Sequence, residues 1–177
     1  NGGTKLSCVR FGNVMGSRGS VIPTFIDGIK NRGAIWVSDT EVTRFAMPIV
    51  EAADLVLDAV ELSLGGEIFV LKMKAFSMGQ LLRVFEKMPF ASGGFEIETR
   101  GRIDAEKLHE ELFTIEESSR LWETEKHYII SNNDEIPDYP GLKKSKSNNF
   151  SSENAERYSD QELIDIISSI ADSILVD

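Results

Sequence analysis

A glycine-rich segment between a strand pattern and a helix pattern constrains the fold of this chain most. Residues 5–10 (KLSCVR) are rich in β-forming side chains and predict a buried strand. Gly12, Gly16 and Gly19 follow this strand. The apolar residues of segment 21–30 then recur at spacings of one and three, which predicts an amphipathic helix. A strand, a glycine loop and a helix in this order form the first unit of an α/β fold.

Strand and helix patterns alternate along the rest of the chain, which predicts the α/β class. Further helices are predicted over residues 48–63, 77–87, 105–112, 114–122 and 159–177. Further strands are predicted over residues 35–37, 43–46, 67–71, 95–99 and 128–130. Capping boxes begin at Ser77, Thr114 and Ser159. The polar, proline-containing residues 131–158 predict an extended loop, so the chain divides into residues 1–130, this loop, and a C-terminal helix over 159–177.

The charge balance excludes two classes of partner. The 177 residues include 19 lysines and arginines and 29 aspartates and glutamates, a formal net charge of -10. Nucleic acids and anionic lipids both require a basic face, so we expect neither nucleic-acid binding nor membrane contact. No run of about 18 apolar residues is present, which predicts no transmembrane helix. The single cysteine, Cys8, excludes an internal disulfide, favours a cytoplasmic protein, and is expected to be inert packing within its strand.

The glycine spacing matches neither of the common nucleotide-binding loops. Gly12, Gly16 and Gly19 are separated by four and three positions, whereas the dinucleotide fingerprint reads G-x-G-x-x-G. No Gly-Lys-Ser/Thr closes the segment, as a P-loop requires. The chain begins at Asn1 and not at a methionine, and it enters a strand almost at once, so we expect it to be part of a longer protein.

Two polar residues near strand ends are candidate ligand contacts. Asn13 follows the first strand at the end where open α/β sheets bind ligands, and its amide suits a hydroxyl-rich ligand. The same residue also suits a left-handed turn beside Gly12. Arg44, next to an aromatic residue, suits a diphosphate, because guanidinium binds phosphate through two parallel hydrogen bonds. Its alternative is a surface ion pair with Asp39 or Glu41.

A third candidate is the arginine–glycine loop at residues 100–102, which precedes the predicted helix 105–112 and suits an anion, or else is a solvated loop. Metal and nucleophile motifs are not indicated. The sequence His109-Glu110-Glu111 does not match HExxH, and no Gly-x-Ser-x-Gly elbow is present. Trp36 and Trp122 are predicted to be aromatic residues of the core or of a domain edge.

The run from Arg10 to Pro23, RFGNVMGSRGSVIP, carries a family resemblance. It is similar to the extended short-chain dehydrogenase/reductases that act on nucleotide sugars, and most of all to the UDP-N-acetylglucosamine 4,6-dehydratases of polysaccharide and flagellin-sugar biosynthesis. Further matches are TRFAM at 43–47, GEIFV at 66–70 and EKLHEEL at 106–112. The resemblance implies the C-terminal part of a Rossmann-like α/β fold, with the last sheet strands and the substrate-binding subdomain.

The resemblance also implies roles for residues of the glycine-rich segment. Asn13, with the backbone near Gly12 and Val14, would face the sugar and the nicotinamide end of the cofactor. Ser20 and Val21 would lie along the diphosphate of the nucleotide sugar. These residues make up the implied cofactor and sugar contacts of the chain.

Two further contacts are implied for the nucleotide. Arg44 would clamp the diphosphate, and Glu106 would accept hydrogen bonds from the ribose hydroxyls. The family reads R-P-G-E-K where this chain reads RIDAEK, so Arg102, the second expected clamp, lies one residue early and Asp104 adds a negative charge. Losing one charge-assisted phosphate contact would weaken binding about ten- to a hundredfold.

The catalytic elements of the family are not found in this sequence. The NAD-binding glycine loop is absent, and the one Tyr-x-x-x-Lys spacing, Tyr139 to Lys143, has Pro140 and Gly141 between its ends. An activated tyrosine needs its lysine one helical turn away, so we expect no catalytic residue here. Whether the chain alone is an enzyme stays open, and the implied parent is a lyase. NAD or NADP would be held mainly by another part of that parent.

The expected ligand is a UDP-sugar, and the expected assembly is a homo-oligomer. Exposed sheet edge and apolar surface would favour self-association of this chain by itself. Two alternatives remain. One is a non-catalytic nucleotide-sugar-binding module or a degenerate module, and the other is a nucleotide-sugar epimerase of the same superfamily.

Overall fold

The structure is a computed structural model and describes residues 3–131 and 139–175. Its helices are α1 (Val21–Arg32), α2 (Ile49–Leu62), α3 (Met78–Glu86), α4 (Ile115–Ser118) and α5 (Asp160–Leu175). Its strands are β1 (Cys8–Arg10), β2 (Asn13–Val14), β3 (Ala34–Val37), β4 (Thr43–Met47), β5 (Ile68–Leu71), β6 (Ala75–Ser77), β7 (Glu96–Thr99), β8 (Glu111–Phe113), β9 (Leu121–Glu123), β10 (His127–Ile130), β11 (Lys143–Lys144) and β12 (Phe150–Ser151). Residues 132–138 of the predicted extended loop lie outside the described residues.

The strands form one mixed sheet and three smaller ones. The largest has the order β1-β5-β10-β9-β11, in which β1 and β5 are parallel and the other pairs are antiparallel. A second sheet has the order β2-β4-β6, with β2 parallel to β4. The pairs β3–β7 and β8–β12 complete the set. The chain therefore passes from the large sheet to the second one between β1 and β2, at Gly12.

The buried apolar side chains form two hydrophobic cores. One is built by α1, α3 and α5, and its fully buried side chains include Ile22, Ile26, Leu81, Phe85 and Ile167. The other is built by β4, α2 and the large sheet, and its fully buried side chains include Phe45, Leu55, Phe69, Phe113 and Ile129. Each side chain buried in this way contributes about 1.5–3 kcal/mol from the removal of apolar surface from water.

The long amphipathic helices are confirmed, with their ends close to the predicted positions. Helix α1 ends at Gly33, whose φ of 64° is the left-handed conformation that glycine adopts at helix ends. The capping boxes at Thr114 and Ser159 are present, because each exchanges bonds with the glutamate three residues on. At Ser77 only half of the box forms. The Ser77 hydroxyl accepts from the Gln80 backbone, whereas the Gln80 side chain donates to Tyr158 instead.

The predicted helix over residues 105–112 is wrong. That segment is irregular up to β8, because its backbone groups bond to other elements and not to each other. The Leu108 carbonyl accepts from the Thr43 backbone (2.9 Å), and both backbone groups of Glu110 bond to Ser152. A chain whose carbonyls and amides are already used in this way cannot form the hydrogen bonds of a helix.

The predicted helix over residues 114–122 is too long. Helix α4 ends at Ser118, and residues 121–123 form β9 between β10 and β11. The reason is tertiary, since Leu121 is fully buried in the second core and its strand pairs with β10. A capping box starts a helix but does not set its length.

The sequence patterns also predict more burial for two strands than the structure shows. Residues 5–8 are exposed and β1 lies at the edge of the large sheet, so Cys8 is exposed and is not packed inside. Strand β7 is exposed at all four residues, although its alternating pattern predicts a half-buried strand. Alternation shows which side chains share a face of a strand, but not whether anything covers that face.

Candidate functional site

A cleft runs along the start of α1 and joins two small chambers. The inner chamber, about 250 Å³, lies between α1 and β4. It is lined by Asn13, Val14, Met15, Gly19, Ser20, Val21, Ile22, Arg44, Ala46, Phe76 and Met78. Five residues with predicted binding roles therefore meet here, although 31 positions separate the first of them from the last.

The outer chamber, about 270 Å³, is more apolar and adjoins the inner one. It is lined by Gly19, Val21, Thr24, Phe25, Arg32, Ile35, Trp36, Val37, Ser38, Met78 and Glu106. Three of these residues, Gly19, Val21 and Met78, also line the inner chamber. Glu106 thus lines the outer chamber of the same cleft, next to the predicted residues of the inner one.

Arg44 holds the segment that follows β7 against β4. Its guanidinium forms an ion pair with Glu106 (Nη2 to Oε1, 3.1 Å) and lies 3.8 Å from Glu110 through Nε. It also donates to the backbone carbonyls of Thr43, Lys107 and Leu108. The predicted surface pair with Asp39 or Glu41 is not the partner found. The charge of Arg44 is balanced within the protein, so a bound phosphate would share this cation with two carboxylates.

Glu106 occupies a position suited to a hydroxyl-bearing ligand. Its Oε1 accepts from the Ser38 hydroxyl at 2.8 Å and from Arg44, and its side chain is 22% exposed toward the outer chamber. A carboxylate oxygen accepts more than one hydrogen bond, and Glu106 has a second oxygen besides the one used here. Ser38 was not predicted, and no motif in the sequence marks it.

Asn13 is extended and does not form a left-handed turn, because no non-glycine residue of the described part of the chain has a positive φ. Its Nδ2 donates to the Phe45 carbonyl (3.0 Å) and to the Glu110 carboxylate (3.2 and 3.4 Å). The amide is therefore held by two elements at the mouth of the inner chamber. Glu110, which receives it, belongs to the EKLHEEL run but was not predicted as a site residue.

Gly12 is required by a close approach of two backbones. A Cβ on this residue would lie 2.4 Å from the Phe45 Cβ and 2.9 Å from the Phe45 carbonyl oxygen. Gly12 lines no part of the two chambers, and it borders a separate groove with Phe11 and Lys107. Its predicted cofactor contact remains a prediction, whereas its lack of a side chain follows from the packing against β4.

Ser20 presents a buried hydroxyl that is not used by the fold. It is the N-cap residue of α1, yet its side chain makes no capping bond, and its Oγ is buried without a partner among the described residues. Buried hydroxyls normally have a hydrogen-bond partner. The hydroxyl lines the inner chamber beside the first free amides of α1, which is where a helix favours an anion.

The two arginines of the arginine–glycine loop pair with carboxylates of the chain, and their binding of an anion stays a prediction. Arg102 lies 3.4 Å from Asp39, and Arg100 pairs with Glu98 at 2.7 Å. Arg100 also lies over the Trp36 ring, 5.3 Å from its centroid. No helix follows the loop, and neither arginine lines either chamber. Trp36 is itself 47% exposed and forms part of the cleft wall. It is therefore not a core residue, and of the two predicted positions the domain edge stays a prediction.

The three tyrosines are not activated as bases, because their pKa values are raised and not lowered. Burial raises the pKa of Tyr139 and of Tyr158 to about 12, and burial also raises the pKa of Tyr128. A tyrosine that accepts or gives a proton near neutral pH needs a lowered pKa. Across residues 3–131 and 139–175, no cluster of three or more metal-ligating side chains could hold an ion. Across the same ranges, no helix is long and apolar enough to cross a bilayer.

Comparisons with known proteins identify the family of this chain. The model of the polysaccharide biosynthesis protein family matches residues 1–132. The chain is 40% identical over 132 residues to an uncharacterized membrane protein of Methanocaldococcus jannaschii, covering 72% of this chain and 40% of that protein. It is 45% identical over 117 residues to the capsular polysaccharide biosynthesis protein CapD of Staphylococcus aureus, covering 63% and 19%. A UDP-glucose 4-epimerase of Rickettsia rickettsii is 38% identical over 130 residues, with 73% and 38% covered.

A solved structure extends the match to most of the fold. The X-ray structure of Pen from Bacillus thuringiensis has a TM-score of 0.85 and 36% sequence identity, and the match covers 93% of this chain and 50% of that one. The fold is the α/β, Rossmann-like fold of the extended short-chain dehydrogenase/reductases, as predicted. The chain belongs to the polysaccharide biosynthesis protein family. It spans about two fifths or less of the length of the curated relatives above.

Proposed function

We propose that this chain is the nucleotide-sugar-binding portion of an NAD(P)-dependent UDP-N-acetylglucosamine 4,6-dehydratase, a lyase of polysaccharide biosynthesis. The observation that carries the proposal is the meeting of Asn13, Ser20, Val21, Arg44 and Glu106 in one cleft. The family resemblance implied roles for these residues, and folding brings them together. Both chambers combine apolar walls with a few polar side chains, as a nucleotide sugar requires.

The proposed ligand position follows from the chemistry of each chamber. The planar base would lie in the outer chamber against Trp36, and the ribose hydroxyls would donate to Glu106. The diphosphate would lie at the start of α1, where the unused Ser20 hydroxyl and the helix amides favour negative charge, within reach of Arg44. The hexosamine would then extend toward Asn13.

In this proposal the residues of the chain bind and orient the substrate. NAD or NADP, when bound, would supply the hydride-transfer chemistry for oxidation at the sugar C4 and reduction at C6, with loss of water across C5 and C6 between the two. The backbone of Gly12–Val14, at the end of β1, would border the nicotinamide. Holding the nucleotide through Arg44 and Glu106 restricts the motion of the sugar, which raises its effective concentration at the reacting groups. Cytoplasmic location and homo-oligomeric assembly belong to the same proposal.

An epimerase is the second candidate. Its support is the similarity to a UDP-glucose 4-epimerase over 73% of this chain. Both activities would use the same nucleotide cleft, so binding of the nucleotide does not separate them. Assay of a parent enzyme that contains this chain, with UDP-N-acetylglucosamine and UDP-glucose in parallel, separates them by product.

Calorimetric titration of the chain with UDP tests the proposal, with NAD⁺ as the comparison ligand. We expect saturable UDP binding that Arg44→Ala weakens by about tenfold or more. Arg83→Ala is the matched control, because Arg83 is exposed and donates to the Gly79 carbonyl in its own helix. Absence of UDP binding by the folded chain would contradict the proposal for this chain and favour the degenerate module.

A further inference from the structure

Ser152 lies beyond the residues that match the family model, yet it holds the wall of the cleft. It is fully buried, with 0% of its surface exposed. Its backbone amide donates to the Glu110 carbonyl at 2.9 Å, and its hydroxyl accepts from the Glu110 amide at 2.9 Å. Both backbone polar groups of Glu110 are therefore bound by this one residue.

Glu110 in turn holds two residues of the cleft, Asn13 and Arg44, in position. Its carboxylate accepts from Asn13 Nδ2 at 3.2 and 3.4 Å and from the Phe45 amide at 2.9 Å. Its Oε1 lies 3.8 Å from Arg44 Nε. A shift of the Glu110 backbone would therefore move the groups that face the sugar and the diphosphate in the proposed complex.

A chain of hydroxyl groups connects Ser152 to β4 as well. The Ser152 hydroxyl lies 2.7 Å from the Thr43 hydroxyl, which lies 2.8 Å from His109 Nδ1. The Ser152 hydroxyl also lies 3.1 Å from the Thr43 carbonyl, to which it can donate. Because Thr43 precedes Arg44 and is buried, this contact restrains the strand that carries the guanidinium.

We propose that Ser152 is a positioning residue of the nucleotide-sugar cleft, acting through Glu110 on Asn13 and Arg44. It lines neither chamber and touches no proposed ligand position. The inference rests on the proposed function, that a UDP-sugar occupies the cleft. It assigns a binding role to the segment after residue 139, which the family model does not cover.

The test compares Ser152→Ala with Ser151→Ala in the full chain. Ser151 is also buried, but its hydroxyl accepts a bond within its own turn, from the Glu153 amide. Two readouts are measured at neutral pH, the dissociation constant for UDP and the NMR signal of the Asn13 side-chain amide without ligand. We expect Ser152→Ala to weaken UDP binding about tenfold and to shift the Asn13 signal, while Ser151→Ala changes affinity by less than about twofold and leaves the signal in place.

The two readouts separate failure of this inference from failure of the proposed function. A wild-type chain without UDP affinity contradicts the function, and the Asn13 signal still decides the positioning role. A folded Ser152→Ala variant with wild-type affinity and an unmoved signal overturns the inference. If Ser152→Ala does not fold, Ser152→Cys replaces it with the same expectations, because a thiol fills the site but forms only weak hydrogen bonds.

Discussion

Arg10 and Glu117 form a two-bond ion pair across 107 positions of the chain, with N–O distances of 2.9 and 3.1 Å. Arg10 ends β1 at the edge of the large sheet, and Glu117 lies in the capping box of α4. The same guanidinium donates to the Leu112 carbonyl at 2.7 Å. The pair therefore connects the end of β1 to helix α4.

This ion pair predicts an acid-dependent stability. Hydrogen bonding from Arg10 lowers the pKa of Glu117 below its ordinary value of 4.5. The stabilisation is therefore fully present above that value and is lost as the pH falls through the lowered pKa. We expect Glu117→Gln to reduce the unfolding free energy by about 1 kcal/mol at neutral pH and by progressively less as the pH is lowered below 4.5. Urea unfolding measures both, and Glu111→Gln, at an exposed position, is the control that should change neither.

Gly12→Ala is expected to destabilise the chain, because the added methyl group would lie 2.4 Å from the Phe45 Cβ. Both atoms belong to or adjoin the backbone, so β2 and β4 must separate. A loss of about 1–3 kcal/mol is expected from urea unfolding. Gly93→Ala is the matched control, since no atom lies within 4 Å of its added Cβ. Equal stability of the two variants would contradict the close approach.

Alkaline pH should weaken the fold through two buried tyrosines. Burial raises the pKa of Tyr139 and Tyr158 to about 12, from an ordinary value of 10.0. Because the folded state favours the neutral phenol, the stabilisation is complete below the ordinary value and is lost as the pH rises toward the raised one. Thermal unfolding near about pH 9 and pH 11 should show this loss. Tyr158→Phe should reduce the pH dependence, and it should also cost about 1 kcal/mol at neutral pH, since the Tyr158 hydroxyl donates to the Ala46 carbonyl.

The outer face of α2 predicts self-association of the chain. Its exposed apolar side chains are Ile49, Val50, Val56, Leu57 and Val60. Leu57 is 66% exposed and Val60 75% exposed, and contiguous apolar surface of this kind favours contact between molecules. Light scattering should detect species larger than a monomer, and Leu57→Glu with Val60→Glu should reduce them. A monodisperse monomer in the wild-type chain would contradict the prediction, and Glu61→Gln on the same helix serves as the control.

Fluorescence of Trp36 should report on the outer chamber. The chain has two tryptophans, so Trp122→Phe leaves Trp36 as the sole indole emitter. If the base of UDP stacks on this exposed ring, its emission should fall on titration, with a midpoint equal to the calorimetric dissociation constant. Trp36→Phe with Trp122 retained should show no such change. UDP binding with constant Trp36 emission would place the base elsewhere.

The long helices and most strands could be predicted because their patterns are local. Helix α1 is determined by apolar spacing and by Gly33, and α5 by its capping box and its apolar stripe. The sequence and its family resemblance also named six residues that share the cleft, from Asn13 to Glu106. Residues 105–110 could not be predicted, since their charged composition favours a helix while their backbone groups bond to Thr43 and Ser152.

The α/β class, the amphipathic elements and the residue types that suit a nucleotide sugar could be predicted from the sequence, because periodicity, caps and motifs act over a few residues. The tertiary structure alone decided that Arg44 is balanced by Glu106 and Glu110, that Arg102 is paired with Asp39, and that Ser152 supports the cleft. Each of these contacts joins residues more than 40 positions apart, and such pairings follow from how the elements pack and not from any local pattern.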